Sequence, residues 1–69
     1  MSGKVVTIKS SARTRVLWWR TNGDIHDFRR GFDGGYGAKR GSAQSLQDAV
    51  ELCKAATEGN QKEVSIEDA

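Results

Sequence analysis

The chain has 69 residues, with 11 Lys/Arg against 9 Asp/Glu for a net charge of +2, 36% hydrophobic residues, one cysteine and no proline. A domain this short buries only about 60% of its unfolded surface. Cys53 alone excludes an intramolecular disulfide, and Cys53 with His26 falls short of the four ligands of a structural zinc. Oligomerisation is the stabiliser that remains.

No leader with an apolar core and no membrane-length apolar run is found, so the chain reads as a soluble cytoplasmic protein with a reduced thiol and no membrane contact. The expected organisation is one small domain over residues 1–69, with 60–69 as a disordered or edge-strand tail.

In chain order, "KVVTIKS" (Lys4–Ser10) is β-branched and reads as a first strand, with Val6 and Ile8 on one face and Val5 and Thr7 on the other. "SSAR" reads as a turn. "RTRVLWWRT" (Arg13–Thr21) is a second strand rich in aromatic and β-branched residues. Asn22-Gly23 predicts a two-residue type I′ turn, because both residues tolerate positive φ. "DIHDFRRGF" (Asp24–Phe32) is then a third strand.

That turn sets Thr21 opposite Asp24, Arg20 opposite Ile25, Trp19 opposite His26, Trp18 opposite Asp27 and Leu17 opposite Phe28. Paired residues share a face. The expected core face is Leu17, Trp19, His26 and Phe28, with Arg15 and Arg30 at its far end. Trp18 falls on the opposite face, beside Val16 and Ile25 and amid Arg20, Asp27 and Arg29. A Val–Trp–Ile cluster ringed by arginines reads as an exposed contact surface.

"DGGYGAKRGSAQ" (Asp33–Gln44) reads as a loop, since its glycines work against regular structure and Tyr36 serves as its anchor. "SLQDAVELCKAATEG" (Ser45–Gly59) predicts one helix. Ser45 is its N-cap and Asp48 stands at N3 of a capping box. Leu46, Ala49, Val50, Cys53 and Ala56 form one apolar stripe, and Gly59 is placed at C′. Val64 and Ile66 alternate in the tail, which reads either as a short edge strand or as a frayed end. The fold class is α+β, a three-stranded antiparallel sheet with one helix packed on one face (β-β-β-α).

"TNGDI", "GYGAK" and "AQSLQDAVELCKAA" together resemble the YegP-like family of small bacterial and archaeal proteins, across most of residues 4–57. The resemblance implies a dimerising or tandem ββ(β)α module and no activity. The sheet with basic residues is also similar to the sheet-type DNA-binding domains of phage integrases and of a class of plant transcription factors. The loop opening a helix looks a little like the double-stranded-RNA-binding domain, but too few residues precede the first strand for that domain's N-terminal helix.

Charge is split along the chain. Residues 1–40 carry nine basic and three acidic residues, and residues 41–69 carry two basic and six acidic ones. The sequence therefore predicts a non-enzymatic, dimeric binding module whose basic Trp/Arg face contacts DNA or RNA. Val16, Trp18, Arg20, Ile25, Arg29, Lys39 and Arg40 are its expected contacts. The alternative is a protein–protein or inhibitor module, a small phage-type or accessory protein, using the same face on a larger partner. The first strand is a candidate to pair across a dimer two-fold.

No catalytic, metal or cofactor site is expected. Asp24, His26 and Asp27 lie on a sheet face without a cleft. Cys53 falls on the helix's apolar stripe. "GGYGAKRG" lacks the phosphate-loop spacing, although Lys39 and Arg40 precede a helix N-terminus that favours anions.

Overall fold

The computed structural model describes residues 3–28 and 36–69. Its elements are β1 (Lys4–Lys9), β2 (Thr14–Trp19), β3 (Asp24–Phe28), β4 (Tyr36–Ser42), α1 (Leu46–Ala55) and β5 (Glu63–Asp68). All strand pairs are antiparallel, in the order β4-β3-β2-β1-β5. The α+β class with one helix therefore holds, but the sheet has five strands rather than three. Four strands form a meander. The helix then carries the chain across one face, so that β5 lands beside β1. With β2 and β5 on its two sides, β1 has no edge left for pairing across a two-fold.

The segment expected as a loop is the strand β4. Its glycines are accommodated by two register shifts against β3. One of them has a packing role: a Cβ on Gly41 would sit 2.7 Å from Leu52 Cδ1, so its absence lets the helix approach the sheet.

The Asn-Gly turn forms, with a different register. Gly23 N donates to Arg20 O at 3.0 Å, and Arg20 N donates to Asp24 O at 2.8 Å. The loop is thus three residues long, Thr21 to Gly23. Only Gly23 takes positive φ, at +98°, so the type I′ geometry is not adopted. This is the type I turn with a glycine bulge that three-residue hairpins favour. Asn22 supports it by accepting from Asp24 N at 3.0 Å.

One extra loop residue shifts the pairing to Leu17↔Asp27, Trp18↔His26 and Trp19↔Ile25. A shift of one moves every β3 side chain to the other face. Ile25 therefore joins the helix-side core at 0% exposure, and His26 and Phe28 leave it. The core is Val6, Ile8, Leu17 and Ile25 under Ala43, Ala49 and Cys53, with Trp19, Leu52 and Val64 packed at its margin.

Ser45 caps α1 as expected, accepting from Asp48 N at 3.2 Å. The helix ends earlier than its apolar stripe suggested, at Ala55 with Ala56 as C-cap. Gly59 is therefore not C′. It takes φ +97° where the returning chain meets the β1–β2 turn, and a Cβ there would lie 2.7 Å from Ala12 N. Ser11 N donates to Asn60 O at 3.0 Å at that junction. Thr57 is buried and donates its hydroxyl to Cys53 O at 2.8 Å.

Candidate interaction surface

Strand register sorts the residues into rows across the sheet face away from α1. One row runs Lys39, His26, Trp18, Val5, Glu67, and the next contains Phe28, Val16, Thr7 and Ser65. Trp18 and Trp19 do point to opposite faces, as the strand period requires. The expected exposed indole is nevertheless buried. Trp18 is only 7% exposed and its neighbour Val5 only 3%. The Arg20 guanidinium lies over the Trp18 ring, 5.3 Å from its centroid. Gly3 brings the chain close to the same ring, because a Cβ there would stand 3.1 Å from Trp18 Nε1. Trp19 is the more accessible of the two, half-buried with its Nε1 donating to Ala43 O at 3.1 Å.

The other expected contacts scatter. Val16 is half-buried on this face. Ile25 belongs to the core beneath the helix. Lys39 is on the open face and pairs with Asp24 at 3.2 Å. Arg40 lies on the helix side and grips Asp27 through Nε at 2.9 Å and through Nη2. Arg29 lies outside the described residues, as does Arg30.

Asp27 also receives Arg15 Nη1 at 3.4 Å, and the side chains of Arg15 and Asp27 are each 15% exposed. The hydrogen bond from Arg40, aided by the charges of Arg40 and Arg15, holds the Asp27 carboxyl below its ordinary 3.8 against the opposing effect of burial. No motif marks this cluster, because it depends on the one-residue shift that brings Asp27 to the helix side.

Among the described residues of the open face, Lys9, Arg20 and Lys39 stand against Asp24, Glu63 and Glu67. The described part of the face is thus balanced in charge. Of the basic residues of 1–40, Lys4, Arg15 and Arg40 are held in ion pairs on the helix side. The sheet also has two edges, β4 and β5, with no described element across either. The alternation in "EVSIED" was the sequence signal for the second; the glycine-rich β4 offered none.

Burial pushes the Cys53 thiol up to about 11, which suits a small core side chain rather than a nucleophile. Among the described residues no three His, Cys, Asp or Glu side chains cluster as metal ligands. A cleft of about 610 Å³ lies by the hairpin turn, bordered by Asn22, Asp24, Gln44 and Asp48. No helix among the described residues is long and apolar enough to cross a membrane. Comparison of the chain with protein-family profiles, curated proteins and solved structures finds no match.

Proposed function

We propose that this protein is a non-enzymatic module that binds other polypeptide chains through its sheet, a second copy first among them. The observation that carries the reading is the charge balance of the open face. Among its described residues, Asp24 of β3 and Glu63 and Glu67 of β5 match Lys9, Arg20 and Lys39, and the same face holds half-buried Val16 and Phe28. A polyanion laid across that face would meet Asp24, Glu63 and Glu67; a protein surface of mixed charge would not be penalised. The short chain, without disulfide or metal cluster among its described residues, gains from such association. The YegP-like resemblance, with its implication of dimeric or tandem modules, supports the same reading. The lone thiol fits a cytoplasmic setting.

Nucleic-acid binding is the second reading. It is favoured by the basic excess of residues 1–40 and by the surplus positive charge of the Arg15–Asp27–Arg40 cluster. Sedimentation with and without mixed-sequence DNA and RNA at low salt separates the two. Protein binding predicts a mass above one chain that nucleic acid leaves unchanged. A single-chain mass that rises on adding nucleic acid, and falls back as salt increases, would overturn the first reading and establish the second.

A further inference from the structure

We propose that copies of this chain join edge to edge, the acidic β5 of one against the basic β4 of the next, so that the antiparallel sheet continues from molecule to molecule. The inference rests on the protein-binding reading and specifies its partner and contact.

The β5 edge is regular. Six consecutive residues pair with β1 without a register shift. Ala69 N donates to Gly3 O at 3.1 Å, which fixes the phase of the ladder. Antiparallel alternation then turns the amides and carbonyls of Val64, Ile66 and Asp68 away from β1, toward solvent. Ile66 is 41% exposed, one of two large apolar side chains left open among the described residues. A continuous row of outward backbone groups beside an exposed isoleucine is a template for another strand.

Charge selects the occupant. β5 carries Glu63, Glu67 and Asp68, and β4 carries Lys39 and Arg40. Pairing β5 with β5, or β4 with β4, would bring like charges together along the seam. Pairing β4 with β5 brings opposite charges together. In five antiparallel strands the edges β4 and β5 run the same way, so an antiparallel join turns the next copy over. Its Lys39, from the open face, then lies on the side of Asp68, and its Arg40, from the helix side, lies on the side of Glu63 and Glu67. The Lys39 side chain, 55% exposed, has the reach to serve both Asp24 and a neighbouring copy. Because the two edges differ, the contact is head-to-tail and does not close at two chains.

Light scattering over a concentration series reads this out. The expected result is a weight-average mass that climbs with concentration past two chains and falls as salt screens the seam. Proline at position 66 removes only an outward amide, so Ile66→Pro keeps the ladder to β1 while association weakens at least tenfold. Should that variant fail to fold by circular dichroism, the double charge reversal Glu63→Lys with Glu67→Lys carries the test and predicts the same loss. Association that survives these variants, or that strengthens with salt, overturns the edge contact. If it is lost instead in Val16→Glu, the module binds its copy through the open face, and the protein-binding reading stands without the edge. A single-chain mass at every concentration overturns both.

Discussion

The two faces of this sheet are sealed by different means. On one, Val6, Ile8, Leu17 and Ile25 reach 0% exposure because a separate layer, α1, lies over them. On the other, Val5 and Trp18 are nearly as buried, with Arg20 stacked on the indole as a flanking cover. Long amphipathic side chains laid flat can shield an apolar centre while keeping their charges wet. A sheet face without a helix is therefore not automatically a bare apolar surface, and an indole there is not automatically available to a partner.

The most direct way to break that comparison is to truncate one residue on each face. Leu17→Ala should cost about 2–5 kcal/mol, as fully buried leucines do. Trp18→Ala should cost about 3–5 kcal/mol if the open face holds a second small core. Denaturant unfolding measures both. A Trp18→Ala loss below about 1 kcal/mol, the range of surface substitutions, would show that the indole contributes little to the isolated chain and would restore it as a partner contact.

Asp27 offers the next largest effect. Asp27→Asn removes the carboxylate that gathers Arg15 and Arg40 on the helix side and leaves two cations close together. The expected cost is about 1–3 kcal/mol. The pH dependence follows from the same group. A carboxyl held below its unfolded value contributes stability that is present above about pH 4 and is lost as pH falls through the folded value. Thermal melts of the natural chain should therefore decline below about pH 4 more steeply than those of the Asp27→Asn variant. Lys4 holds exposed Asp68 low as well, a contribution both proteins share. Identical acid slopes would remove the cluster from the account of stability.

Much of this fold is legible in the residues. β-branching marks β1 and β2, Asn22-Gly23 marks the hairpin, Ser45 and Asp48 mark the helix start, and Val64 with Ile66 marks β5. What the residues did not disclose turns on small energetic choices. A two-residue and a three-residue Asn-Gly loop differ by where one positive φ falls, yet the choice decides whether Ile25 or His26 enters the core. β4 was hidden because glycine is a poor strand former on its own, and pairing with β3 and the approach of Leu52 outweigh that. The site suffered most. Val16, Trp18 and Arg20 lie on the expected face, but Ile25 and Arg40 do not, and the burial of Trp18 depends on neighbours brought together only by the sheet.

A smaller effect is expected at the helix start. Ser45→Ala deletes the oxygen that accepts from Asp48 N, at a cost of about 1 kcal/mol by thermal unfolding. The helix is the layer that seals one face, so this loss should expose the Leu17 side and leave the environment of Trp18 unchanged. A Ser45→Ala variant that altered both faces alike would show that their sealing is coupled.

The subtlest test bears on the cover itself. Arg20→Ala removes the guanidinium above Trp18 without touching the indole, and a partly exposed cation–π contact is worth about 0.5–1 kcal/mol. Stability is thus a weak reporter, and accessibility a strong one. With Trp19 replaced by phenylalanine to leave a single indole, Arg20→Ala should shift the Trp18 emission to longer wavelength and raise its quenching by acrylamide. Unchanged emission and quenching would mean that Arg20 is not the lid and that the neighbours in its row, His26 and Val5, are enough to keep the indole dry. The same variant separates the two readings of function in one further respect. If Arg20 serves as cover, its loss bares apolar surface and strengthens homotypic contact; if it serves as a phosphate ligand, its loss weakens nucleic-acid binding and lowers the salt slope by about one.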